Sequence, residues 1–164
     1  MKTTEAFSFS YEQYDQLEDL TPADASLLKA ARQLTAKAYA PYSHFNVAAV
    51  AQFNDGTILE GTNQENASYP VGICAERSLL AAAGTLFPGK PIETMAISYE
   101  NLRDQQHSDH PIAPCGMCRQ ALQEFEERTG QPVRLILSGQ SGKILIIETV
   151  LNLLPLAFSG KVLK

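Results

Sequence analysis

Leu27, Leu28, Ala31, Leu34 and Ala38 recur at intervals of three and four among polar neighbours. That period places them on one face of a helix over about 22–38. Thr21 stands as its N-cap, Pro22 suits the first turn, and Asp24 lies near the positive helix end. Ala40-Pro41-Tyr42-Ser43 stops the helix, and His44 to Phe53 is then rich in β-branched and small apolar residues. Asn54-Asp55-Gly56-Thr57 is a hairpin turn, so Thr57 to Thr62 returns as a second strand. Asn63 to Gly72 is polar, broken by Pro70 and Gly72, and reads as a loop. Ile73 to Leu86 is rich in Ala and Leu with no breaker before Gly84, which predicts a largely buried helix. After Pro88-Gly89-Lys90-Pro91, Ile92 to Ser98 is a third strand and residues 99–113 a loop. Cys115 to Arg128 is the next helix, opened by Pro114 and closed by Gly130. Pro132 to Ser138 and Lys143 to Thr149 are strands flanking Gly139-Gln140-Ser141-Gly142, and Val150 to Leu154 is a last helical turn halted by Pro155. This order predicts an α/β fold, with one mixed, five-stranded sheet covered on both faces by helices.

Residues 1–20 set Phe7, Phe9, Tyr11 and Tyr14 among polar residues and read as an arm, leaving 21–164 as a single domain. The length of 164 residues suits one hydrophobic core, and the 45% apolar and 19% charged residues are ordinary for a folded chain. The net charge of −5 argues against a nucleic acid polymer as partner. No apolar run is long enough to cross a bilayer, and the N-terminus has no basic-then-apolar leader pattern, so the expected location is the cytoplasm. Three cysteines, two of them in Cys-x-x-Cys, then point to metal or redox chemistry rather than to a disulfide framework.

Cys115 and Cys118 lie one turn apart at a predicted helix N-terminus, where their sulfurs can point the same way. Cys74 opens another predicted helix. Helix N-termini favour anions and so favour thiolate ligands. If the two helix ends meet, three thiolates converge on one ion, and zinc is the metal expected. Three protein ligands leave a coordination position open, which marks a catalytic site, where water would have its pKa lowered towards roughly 7. Glu76, two residues beyond Cys74 in an apolar helix, is placed to exchange protons with such a water. Arg77 is the cation available to offset the excess negative charge of three thiolates.

Cys74-Ala75-Glu76-Arg77 followed by Pro114-Cys115-Gly116-Met117-Cys118-Arg119-Gln120 resembles the homotetrameric zinc-dependent cytidine deaminase family. The resemblance runs from Ala38 to about Phe158. It takes in Ala40-Pro41-Tyr42-Ser43-His44-Phe45, Asn63-Gln64-Glu65-Asn66-Ala67-Ser68-Tyr69 and Leu153-Leu154-Pro155. It implies a three-layer α/β/α fold, one zinc per subunit, and hydrolytic deamination of cytidine and deoxycytidine to the uracil nucleosides plus ammonia, a pyrimidine salvage reaction. By the same resemblance Cys74, Cys115 and Cys118 are the zinc ligands and Glu76 the proton shuttle. Arg77 hydrogen-bonds ligand sulfurs, Asn63 and Glu65 hold the ribose 3′-hydroxyl, and Phe45 lies beside the base. The backbone of Ala75 faces the base and the attacking water, and Phe158 enters a neighbouring subunit's site within a homotetramer. Ala48, Met117 and Asn152 depart from the family's usual Gly, Ala and acid.

Three other readings make different demands. A structural zinc module needs a fourth protein ligand, for which His107 or His110 is available. A thiol–disulfide oxidoreductase needs its Cys-x-x-Cys close behind a strand, whereas residues 99–113 intervene here. A polynucleotide-editing deaminase needs a basic groove, which the acidic composition disfavours.

Overall fold

The computed structural model describes residues 1–104 and 107–163. Its first helix, α1 (Pro22–Leu34), is capped as the sequence indicates, with Thr21 Oγ1 accepting from the Asp24 amide at 3.2 Å. Leu27, Leu28, Ala31 and Leu34 are its buried face. Beyond Leu34 the chain tightens into a 3₁₀ turn at Thr35–Lys37, where the Thr35 hydroxyl donates to the Arg32 carbonyl. The α-helix is therefore shorter than its apolar period suggests.

The other elements follow as β2 (Phe45–Phe53), β3 (Ile58–Thr62), α2 (Ala75–Leu86), β4 (Ile92–Asn101), α3 (Gly116–Thr129), β5 (Arg134–Ser138) and β6 (Ile144–Ile147). They are preceded by β1 (Glu12–Tyr14), so the sheet has six strands, not the five expected, in the order β1-β6-β5-β4-β2-β3. The extra strand lies within the segment read as an arm. Glu12-Gln13-Tyr14 has no apolar run to announce it; it exists because the backbone of β6 offers a free edge, with Gln13 opposite Leu145. Among the strand pairs of the described residues only β4–β5 is parallel. The mixed character of the sheet holds.

Alternate residues of each strand enter two cores. Ala48, Val50, Ala96, Ile136, Ile144 and Ile146 pack with α1 on one face. Ala49, Ala51, Phe53, Met95, Ile97, Leu135 and Leu137 pack with α2 and α3 on the other. The result is three layers, helix on sheet on helices. β2 runs antiparallel to both of its neighbours, so its start lies beside the ends of β3 and β4, with Ala48 opposite Thr62 and Phe45 opposite Asn101. The chain leaves those ends for α2 and α3. Both helix N-termini are therefore brought to the same end of the sheet. No helix among the described residues is long and apolar enough to cross a membrane.

Candidate active site

Cys74 is the N-cap of α2 and Cys115 the N-cap of α3, each in extended backbone conformation. Their carbonyls accept the first helical bonds, from Ser78 and Arg119, while their side chains make no capping bond. That leaves the sulfurs free to turn towards one another. Cys118, one turn into α3, is fully buried. The three sulfurs lie within 4.8 Å of one another, with Cys74–Cys115 at 3.9 Å and Cys115–Cys118 at 3.4 Å. Zinc–sulfur bonds of ~2.3 Å in a tetrahedron require sulfur–sulfur edges of about 3.8 Å. The donor set and its spacing therefore fit zinc with one position left open. Among the described residues it is the one cluster of this kind.

Close approach of the three thiols, of which Cys118 is buried, Cys74 half-buried and Cys115 exposed, couples their protons. The hydrogen bond from Cys118 holds the Cys74 thiol down at about 6, with Arg77 nearby acting in the same direction; burial and Glu76 oppose the shift. Cys118, as that donor, is pushed up from the usual thiol value. Glu76, in the first turn of α2, is only 5% exposed. Its burial raises the carboxyl pKa, against the opposing effect of its own backbone amide and of Cys118. A carboxyl so placed exchanges protons more readily near neutrality than a solvated one.

The remaining residues read from the sequence lie around this end of the sheet. Ala75, fully buried, is the first residue of α2. Asn63 extends β3 by one residue: its Oδ1 accepts from the Val47 amide at 2.8 Å and its Nδ2 donates to the Phe45 carbonyl at 2.9 Å. Glu65 Oε2 accepts from the amides of Tyr42 and Ser43. Burial works against ionisation of Glu65, but those bonds and the nearby His44 outweigh it and lower the carboxyl pKa. The loop between Asn63 and Glu65 is stitched to both sides. Gln64 exchanges backbone bonds with Ile73, immediately before Cys74, while Glu65 donates to the Tyr39 carbonyl. The loop is thus tied by backbone bonds to the residue that precedes the first thiol.

Phe45, at the start of β2, is half-buried and stacked on Tyr99. Arg77 makes no hydrogen bond to a sulfur and acts on the cluster through its charge alone. Phe158 is 61% exposed, its carbonyl held by Gln120 Nε2 at 2.9 Å. His107 and His110 lie outside the thiol cluster and pair with Asp104 and Asp109.

Two residues without a sequence-assigned role help to build the site. A Cβ on Gly61 would lie 2.7 Å from the Ala75 carbonyl and from Leu79, so α2 crosses β3 at a distance only glycine allows. A glycine within a strand pattern is the signal for such an approach. Arg119 donates to the carbonyls of Pro114 and Leu153, each at 2.8 Å, tying the entry to Cys115 to the C-terminal turn at Val150–Leu153. It stands within the Cys-Arg-Gln run, but an arginine's donors identify their acceptors only once the chain is folded.

With this geometry in place, the sequence model for the "Cytidine and deoxycytidylate deaminase zinc-binding region" matches residues 21–130. A cytidine deaminase from Halalkalibacterium halodurans is 36% identical over 135 residues, covering 82% of this chain and 93% of that one. One from Sporosarcina psychrophila is 34% identical, covering 81% and 89%. The crystal structure of cytidine deaminase from Burkholderia pseudomallei superposes with a TM-score of 0.70 at 36% identity, over 85% of this chain and all of that one. The match covers every element from α1 to α3, including all three thiols and Glu76. The chain belongs to the cytidine and deoxycytidylate deaminase zinc-binding family.

Proposed function

We propose that this site hydrolyses the C4 amino group of cytidine and deoxycytidine, giving uridine and deoxyuridine and releasing ammonia. The observation that carries the reading is a buried carboxyl, Glu76, on the same helical turn as one member of a three-thiol cluster. Cys74, Cys115 and Cys118 would hold one zinc ion per subunit, which when bound supplies a Lewis acid that lowers the pKa of water towards ~7. The rest is done by the chain's own groups. Glu76 takes the proton of the attacking water, delivers it to N3 of the base, and then helps protonate the amine that leaves C4. The water contributes its oxygen to C4, and the C4–N bond breaks as ammonia departs. Asn63 and Glu65 hold the ribose 3′-hydroxyl, Phe45 and the backbone of Ala75 line the base, and Arg77 offsets thiolate charge. Orienting the sugar in this way holds C4 near the water.

Purified protein incubated with cytidine should show the ultraviolet change to uridine, lost with a chelator that strips zinc and restored by adding zinc back. Free cytosine should be a very poor substrate, and Glu65→Ala should lose much of the preference for nucleoside over base. Equal turnover of cytosine and cytidine by the wild type would sink the sugar-binding roles.

The chain further acts as a homotetramer with shared sites, in cytoplasmic pyrimidine salvage. The support is an exposed apolar C-terminal segment: Leu151, Leu156 and Phe158 stand in solvent, and closed assemblies bury such surfaces. Phe158 would then complete a site whose zinc belongs to another chain. Phe158→Ala is expected to lower activity, and its mixture with inactive Glu76→Gln chains to recover part of it. Fully active, zinc-loaded monomers in analytical ultracentrifugation would refute shared sites.

A further inference from the structure

Tyr99 has no role in the chemistry set out above, yet it is the largest of the fully buried side chains and lies against a residue proposed to line the base. It is two residues from Asn101, the partner of Phe45 across β2 and β4, so the two rings are diagonal neighbours on the α2/α3 face of the sheet. They stack with centroids 4.9 Å apart and planes inclined by 16°. One side of Phe45 is thus occupied by Tyr99, while the residue as a whole stays half-exposed.

Tyr99 is held by the segment 107–110. Its hydroxyl donates to the His107 carbonyl at 2.9 Å, and the His110 ring stands edge-on to it at 5.9 Å and 68°. That segment is itself anchored. Ser108 is buried, its Oγ accepts from the Asn101 amide, and its carbonyl accepts from Ser141. Gly139 and Gly142 leave no room for a Cβ against the backbone of Ser108 and Asp109, so the β5–β6 turn closes directly onto the segment. Asp109 accepts from His110 Nδ1 at 3.2 Å and helps to orient that ring.

We propose that Tyr99, clamped by the 107–110 segment through its hydroxyl and His110, is a positioning residue that fixes the ring of Phe45 for the pyrimidine. The inference rests on Phe45 facing the base. A ring clamped before substrate arrives loses less freedom on binding, so the contribution should be to affinity, not to the chemical step.

The test uses Phe45→Leu, Tyr99→Leu, Tyr99→Phe and His110→Ala in the zinc-loaded full chain. Readouts are kcat and KM for cytidine, calorimetric Kd for uridine, and Tm. Tyr99→Leu should raise KM and Kd about two- to tenfold, the range for loss of an aromatic pair, with little change in kcat. Tyr99→Phe keeps the stack but loses the bond to the His107 carbonyl, so it should raise KM and Kd by less than Tyr99→Leu does. His110→Ala alters an exposed side chain, so it reads the clamp even if Tyr99→Leu does not fold; it should raise both constants about twofold, at the low end of that range. A fall in Tm alone for Tyr99→Leu, with KM and Kd unchanged, would overturn the proposal. So would Tyr99→Phe as impaired as Tyr99→Leu, or wild-type constants in His110→Ala. Unchanged constants in Phe45→Leu would remove the base contact and the inference together. Raised constants in Phe45→Leu but not in the Tyr99 variants would remove the inference alone.

Discussion

Glu76→Gln is expected to lower kcat for cytidine by at least ~10²-fold, the scale of a positioned proton carrier. The amide keeps the shape of the side chain but cannot accept the water's proton. Glu76 is almost fully enclosed within the first turn of α2, so nearby solvent cannot readily substitute for it. Burial already favours the neutral form, so the isosteric amide should be tolerated and the fold kept. Zinc content, measured by elemental analysis, should equal that of wild type, because Glu76 is not counted among the ligands. Near-normal turnover would remove Glu76 from the mechanism. Loss of zinc from the variant would instead place the carboxylate in the metal shell.

Cys118→Ala is expected to remove both bound zinc and activity. Loss of outer-shell partners costs roughly 10–100-fold in metal affinity, and loss of a direct ligand should cost more. Cys118 is the fully buried member, and with Cys115 it forms the shorter sulfur–sulfur contact, 3.4 Å. Without it, Cys74 and Cys115 are left on two separate helix ends with no third sulfur between them. Alanine also leaves a small void against α2, so circular dichroism should accompany elemental analysis and the cytidine assay. Stoichiometric zinc in folded Cys118→Ala would show that the ion is held by other groups and would overturn the three-thiol site.

Much of this protein was legible in its sequence because the decisive signals are local. The 3.6-residue period of Leu27, Leu28, Ala31 and Leu34, the hairpin turn at Asn54–Thr57 and the left-handed Gly130 at the end of α3 each act through near neighbours. The three thiols and the neighbouring Glu76 were equally legible as candidate groups, since local chain geometry alone places Cys115 near Cys118 and Cys74 near Glu76. Tertiary structure decided what depends on residues far apart. The three-residue strand Glu12–Tyr14 forms only because β6, more than a hundred residues later, has an open edge. The convergence of Cys74 with Cys115 requires the antiparallel course of β2 between β3 and β4, and the close crossing over Gly61. The stack of Phe45 on Tyr99 depends on strand register, and the clamp behind it on contacts between the 107–110 segment and the β5–β6 turn. Periodicity and caps report the free energy of one segment; register, edge pairing and close approach are set by two segments at once, and neither carries that information alone.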